Sequence, residues 1–333
     1  MTAPAPTPPL TMEKVRAAQS LLRGIVPESR LIASERLAKL SGGSVHLKLE
    51  SEGPTGSFKV RGAYCAIHTH KMPFGGELPG VITASTGNHG AAVAYAASKL
   101  RIPARIYLPE NPNPAKRARI AQLGAEIVEV ATYLEETRAH AQKFAEQSGW
   151  YNVVDGVDRD MLPGPATIAC EILDTLPQAD VIFVPVGDST LIRGLAFAAK
   201  QLKPEISIVG VQAELAPAYA LSFAKGHAVS TDTSDTIADG LSVRDAMEDN
   251  VKQIAGLVDE FVLVSEDEML AAIRFLHEEE KVTAEPAGAA STAAFLKSNA
   301  VYANKSIVLL VTGSNIPPDL LARALSFTPP DNK

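Results

Sequence analysis

Only two cysteines occur in the 333 residues, Cys65 and Cys170. Both sit within apolar, helix-like runs, so buried thiols are a simpler reading than a disulfide, and no CxxC or Cys/His cluster offers a zinc site. No apolar run reaches the roughly 20 residues needed to span a bilayer. No G-x-G-x-x-G follows a strand pattern, which disfavours a nicotinamide-dependent dehydrogenase. Positive charge is also short, with 31 Lys and Arg against 38 Asp and Glu for a net charge of −7. That balance argues against nucleic acid or an anionic membrane as the main partner, and leaves open a local cationic pocket for a phosphate. Met1 to Leu10 contain four prolines and no charged side chain, so they lack the basic segment of a secretion signal. Residues 1–12 read as a disordered tail, and the chain reads as cytoplasmic.

A content of 46% hydrophobic and 21% charged residues fits a protein with a large core, and at roughly 100 to 200 residues per domain two domains are expected. Short apolar runs at 45–49, 80–84, 104–108, 126–130, 181–184, 207–211 and 307–311 alternate with helical patterns at 59–67, 91–97, 115–120 and 137–147. Buried strands between helices indicate an α/β protein with mainly parallel sheets covered by helices.

Gly56-Ser57-Phe58-Lys59-Val60-Arg61-Gly62 is the most informative stretch. The alternating run Val45-His46-Leu47-Lys48-Leu49 reads as a half-buried strand, Pro54-Thr55-Gly56 breaks the chain, and a helix starts at Lys59. The first turn of a helix carries partial positive charge. A lysine there is biased towards the free amine that a Schiff base requires, although on position alone a solvated lysine is the simpler reading. Ser85-Thr86-Gly87-Asn88-His89-Gly90 lies between a strand and a helix, where backbone N–H groups and the helix dipole favour an anion. A glycine turn would explain its glycines but not its run of polar side chains. Pro185-Val186-Gly187-Asp188-Ser189-Thr190-Leu191 opens another helix. Its hydroxyls can bind an anion, or Ser189 or Thr190 can simply cap the helix; Asp188 must point away from any phosphate or be neutralised. Val311-Thr312-Gly313-Ser314-Asn315 by itself reads as a loop of small residues.

Ser57-Phe58-Lys59-Val60-Arg61-Gly62-Ala63 closely resembles the cofactor-lysine motif of the serine/threonine dehydratases. That family includes serine racemase and belongs to the fold-type II (tryptophan synthase β-like) pyridoxal-phosphate enzymes. The resemblance covers about residue 15 to about residue 325. It implies pyridoxal 5'-phosphate as cofactor, held by Lys59 through an imine with Phe58 beside it. It implies that Asn88 bonds the cofactor's phenolic oxygen, and that Ser85, Thr86, Gly87 and His89 hold the substrate carboxylate. Gly187, Asp188, Ser189, Thr190 and Leu191 correspond to the phosphate-wrapping loop, which in the family is a run of glycines. Thr312 corresponds to the hydroxyl facing the pyridine nitrogen, and Glu285 to a glutamate near the ring. Thr236 to Gly240 resembles a loop lining the site, though a turn explains Asp239-Gly240 equally well. Arg138 lies where racemase-like members place an arginine near the substrate carboxylate, and a solvated arginine is as good a reading. The implied division is a large cofactor domain of 13–79 and 158–333 with a small domain of 80–157.

Two departures bear on mechanism. The positions where several members bind a divalent cation are here Gln212, Ala216 and Ala218, so no metal is expected; His68-Thr69-His70 reads as a solvated helix end. The family's Gly-Gln-Gly-Thr stretch is Gly164-Pro165-Ala166-Thr167. The expected activity is β-elimination from a β-hydroxy amino acid such as L-threonine or L-serine, giving a 2-oxo acid and ammonia, by a homodimer acting on a small molecule. With the sequence ending near residue 333, the regulatory domain of the biosynthetic threonine deaminases, and with it allosteric feedback, is not expected. The alternatives are a dehydratase for a bulkier 3-hydroxy amino acid, and a racemase with Thr86 as the second acid/base. The intact Lys59 argues against a non-catalytic cofactor-binding protein.

Overall fold

The computed structural model describes residues 10–71, 77–85, 87–112 and 114–328. Among these residues the strands are β1 (Leu31–Ala33), β2 (Ser44–Leu49), β3 (Val81–Ala84), β4 (Ala104–Leu108), β5 (Glu126–Glu129), β6 (Tyr151–Asn152), β7 (Val181–Pro185), β8 (Ser207–Ala213), β9 (Glu260–Val264) and β10 (Ser306–Val311). The chain divides into two compact units, Met1–Pro27 with Lys59–Thr167, and Glu28–Phe58 with Ile168–Lys333. This division groups 59–79 with 80–157, whereas the sequence boundaries set 59–79 in the larger domain.

The first unit carries a four-stranded sheet in the order β5-β4-β3-β6, all parallel. The helix Asn88–Leu100 is alanine-rich and buried over most of its surface, as suits a good helix former packed on more than one side. It shares a core with the helix Lys59–Lys71 through Val60, Ile67, Ala92, Val93 and Ala96. The helix Leu134–Ser148 buries only Thr137 and Ala141, a one-sided stripe at i and i+4. A helix begins at Met12, capped by the Thr11 hydroxyl, which accepts from Lys14 N at 3.3 Å. Thus residues 10–12 of the expected tail are ordered helix entry, and residues 1–9 lie outside the described residues.

In the second unit a six-stranded sheet runs β1-β2-β10-β7-β8-β9, with only β1 antiparallel to its neighbour. Every residue of β10 is buried, because its unbroken apolar sequence is covered on both faces. The Phe183 ring packs edge-on against Tyr302 at 4.9 Å and Phe295 at 6.5 Å between centroids. The half-buried reading of β2 needs correcting. Lys48 is 1% exposed, and its ammonium donates to Glu171 Oε2 at 2.6 Å and Ser29 O at 2.7 Å. With β1 and β10 on its two sides, β2 is an interior strand, and a lysine there is tolerated because its charge is paired. Cys65 and Cys170 are buried and neither forms a disulfide. No helix among the described residues is long and apolar enough to cross a membrane.

Candidate active site

Lys59 is the first residue of the helix Lys59–Lys71, and its ammonium forms an ion pair with Asp155 Oδ2. Both side chains are nearly buried, at 13% and 7% exposure. The other Asp155 oxygen accepts the N–H of Gly156 at 3.0 Å, which fixes the carboxylate's orientation. Asp155 is the principal residue missed in the sequence. It follows the apolar pair Val153-Val154 and precedes a glycine, a strand-end pattern that marks a functional loop only once its partner is known.

Asn88 begins the helix Asn88–Leu100 beside His89. His89 is buried, and its Nε2 lies 2.9 Å from Val153 O. A carbonyl only accepts, so Nε2 carries the proton. Burial holds the imidazole below its ordinary range, with Lys59 and Arg138 pushing the same way, and Asp155 and the Val153 carbonyl pushing back. The ring is therefore neutral near pH 7, and its Nδ1 presents a lone pair with no partner among the described residues. A neutral Nδ1 can accept but not donate, and in the same stretch the Gly87 N–H donates to Ser85 Oγ at 3.3 Å. The first intrahelical bond runs from Ala91 N to Gly87 O, which leaves the preceding amides outside the helical ladder. Gly87 itself has φ −110°, and a Cβ built on it meets no atom within 4 Å. The protein's own packing does not require a glycine there; close approach of a ligand would. Thr86 lies outside the described residues. Arg138 is exposed on the helix Leu134–Ser148 and acts on His89 through its charge.

In the second unit, β2, β10 and β7 are parallel, so their carboxyl ends share one edge, where ligands of open α/β sheets bind. Ser57 bridges Gly313, and Phe58 N donates to Thr312 O at 3.2 Å. Glu285 N donates to Gly313 O at 3.0 Å, and the Thr312 hydroxyl to Ala287 O at 3.3 Å. At the end of β7, a Cβ on Gly187 would stand 2.1 Å from the Gly240 carbonyl oxygen, so only glycine lets the loops 187–190 and 236–240 meet. Phe58, Thr312, Glu285 and the 187–191 loop thus gather at one edge. Ser189 and Thr190 are buried. Ser189 takes the left-handed conformation, φ 71°, at the start of the helix Thr190–Leu202, and its side chain makes no capping bond, which removes the plain-cap alternative for Ser189. The buried Ser57 hydroxyl has no partner among the described residues.

Residues 164–167 lie in the first turn of the helix Pro163–Thr175, where Thr167 Oγ1 donates to Gly164 O at 2.7 Å and accepts from buried Arg61 at 3.0 Å. His70 is stacked on Tyr151 at 3.7 Å rather than simply solvated. Gln212 is fully buried; its amide donates to Val186 O at 3.2 Å and accepts from Ala220 N at 2.7 Å. It ties the end of β8 to the strand-to-helix turn after β7. No group of three or more His, Cys, Asp or Glu among the described residues is placed to hold a metal ion.

Each unit by itself carries groups whose chemistry fits pyridoxal phosphate. In the first, a nearly buried lysine at a helix start meets a carboxylate and a glycine opens onto space; in the second, buried hydroxyls lie at a helix N-terminus and a neutral hydroxyl follows β10. Comparisons with known proteins agree. The chain is 35% identical over 318 residues to the L-threonine ammonia-lyase of Thermotoga maritima, covering 95% of this chain and 78% of that one. It is 36% identical over 311 residues to the catabolic L-threonine dehydratase of Staphylococcus aureus, covering 92% and 89%. Among solved structures, maize serine racemase superposes with TM-score 0.87 at 29% identity, covering 94% of this chain and 96% of that chain. The processed form of threonine deaminase isoform 2 from Solanum lycopersicum superposes with TM-score 0.88 at 29% identity, covering 97% and 95%. The model of the family described as pyridoxal-phosphate dependent enzyme matches residues 23–313, and this chain belongs to that family.

Proposed function

We propose that this chain, a pyridoxal-phosphate-dependent ammonia-lyase, converts a small β-hydroxy amino acid, L-threonine or L-serine, into a 2-oxo acid and ammonia. The carrying observation is the nearly buried Lys59–Asp155 pair at a helix start, within a motif resembling the dehydratases' cofactor-lysine segment. The cofactor, when bound, supplies an anchor for the substrate amine and a sink for the electron pair left at Cα. Lys59 would hold the cofactor, and its amine, when free, would take the Cα proton of the substrate. Asp155 stabilises the ammonium so formed and keeps Nζ in place. Ser85 and the amides that open the helix Asn88–Leu100 bind and orient the substrate carboxylate. Asn88 supplies a hydrogen bond to the phenolic oxygen, and Gly187 to Leu191 hold the phosphate. Thr312 offers a neutral hydroxyl where a carboxylate would have held the pyridine nitrogen protonated, so the sink is weak. A weak sink favours prompt departure of the β-hydroxyl over reprotonation at Cα. The released unsaturated amine then takes up water and loses ammonia.

A cytoplasmic homodimer is the form we propose, from the resemblance and the composition. The deciding assay measures 2-oxo acid release and inverted amino acid in the same reaction. Wild type should give mainly oxo acid from threonine or serine. Lys59→Ala should lose turnover and the cofactor's visible imine absorption while keeping its fold. Unchanged absorption and turnover in that variant, or faster inversion than elimination in wild type, would refute the proposal.

A further inference from the structure

Arg193 stands one turn into the helix Thr190–Leu202, behind the loop that ends β7. It is 2% exposed, which is rare for an arginine and costly unless its charge and donors are used. Its Nε donates to Ser189 Oγ at 3.1 Å, and its Nη1 to Gln253 Oε1 at 3.4 Å. Gln253 belongs to the helix Glu248–Ala255, so the planar guanidinium is a strut from a neighbouring helix to the loop.

The residue it grips is in an unusual state. Ser189 has φ 71°, a conformation that glycine adopts readily and a side chain resists. The local sequence gives no reason for serine to stay there, since its hydroxyl makes no capping bond that would compensate. The Arg193 contact supplies one. It also occupies a lone pair of the hydroxyl, which leaves the O–H proton to donate to another acceptor.

We propose that Arg193 is a positioning residue for the cofactor phosphate. It holds Ser189 in the left-handed conformation, turns the Ser189 hydroxyl outward as a donor, and so presets the start of the helix Thr190–Leu202 for a phosphomonoester dianion. This rests on the pyridoxal-phosphate reading above. The strut replaces the conformational freedom that a glycine at 189 would provide, so the need for Arg193 should vanish when residue 189 is glycine.

The test is titration of apoenzyme with pyridoxal phosphate and, in parallel, with pyridoxal, which lacks the phosphate. Bound cofactor is followed by visible absorption, and melting temperature is recorded for each protein. Arg193→Met, which keeps the buried aliphatic volume, should weaken pyridoxal phosphate binding at least tenfold and leave pyridoxal binding unchanged. Ser189→Gly alone loses one phosphate donor and sets the reference, and the double variant should bind pyridoxal phosphate as tightly as Ser189→Gly does. Equal binding by Arg193→Met and wild type overturns the proposal, as does a double variant at least tenfold weaker than Ser189→Gly. Should Arg193→Met not fold, Arg193→Lys, which cannot bridge Ser189 and Gln253, replaces it in the same comparison. Wild type that takes up no cofactor at all overturns the functional reading itself, a result distinct from each of the others.

Discussion

Gly87, just before the helix Asn88–Leu100, and Gly90, in its first turn, make opposite predictions when changed to alanine. A Cβ on Gly87 meets nothing within 4 Å, and φ there is −110°, so the folded state accepts the methyl group. Removing glycine's freedom from the unfolded chain then stabilises the protein by about 0.4–1 kcal/mol, which for a chain of this size is about 1–2 °C in Tm. A Cβ on Gly90 would stand 2.4 Å from the Ser85 carbonyl oxygen, and backbone must move, at a cost of about 1–3 kcal/mol. Function should follow neither ranking. A methyl group on Gly87 would occupy open space next to Asn88, where the proposed function puts the carboxylate, and displacing a substrate by about 1 Å can cost about 100-fold in rate. We expect Gly87→Ala to melt at or slightly above wild type and to lose at least ~10-fold in kcat/KM, mostly through KM. Gly90→Ala should melt lower. The assays are differential scanning calorimetry of both holoenzymes and steady-state oxo-acid release. Full activity in Gly87→Ala would refute the placement of the carboxylate, and a large loss of its stability would refute the packing argument.

Other outcomes follow from buried polar groups. Burial pushes Asp158 up to about 7 from 3.8, opposed by the Asp160 N–H and aided by the Asp160 charge, while the Tyr151 hydroxyl donates to it. The folded state then holds a proton that the unfolded chain has released. This group's contribution is fully present below about pH 4 and lost as pH rises to about 7, by ~4 kcal/mol at most. Urea midpoints of wild type and Asp158→Asn should therefore diverge across that window, and parallel pH profiles would contradict the burial argument. Exhaustive chelation should leave oxo-acid release unchanged, because Gln212 spends both ends of its amide on Val186 and Ala220. A loss restored by magnesium or calcium would show a cation site elsewhere.

Much of the fold was legible because its strands are short, apolar and isolated. The runs expected at 104–108 and 307–311 are β4 and β10 to within a residue. β9 was missed although Phe261-Val262-Leu263-Val264 is an apolar run, one too short to tell a strand from the end of a buried helix, and only Val264 of Glu260–Val264 is fully buried. β6 is two residues long, too short for any period. The start of the lysine helix was legible from Pro54-Thr55-Gly56, but the carboxylate on Lys59 was not. Asp155 is 96 residues further on, and its place after Val153-Val154 and before Gly156 marks a strand end without naming the lysine as its partner. Arg193 was passed over for the same reason, since a lone arginine in a helical pattern reads as solvated until its burial is known. His89 was found as a residue, but its tautomer depends on Val153, which only the fold brings to it.

The position of β10 has a consequence for how the polypeptide is made. The four strands of the first unit's sheet are complete by Asn152, so that sheet can pair while the rest is still being synthesised. The second unit cannot do the same. β10, at Ser306–Val311, lies between β2 and β7, and until it emerges those two strands lack the partner they share. At about 5–20 residues per second, β7 waits several seconds with an apolar edge open to other chains. Ribosome-bound nascent chains stopped before residue 306 should therefore recruit chaperones and resist solubilisation, whereas chains extended past Val311 should become protease-resistant in one step.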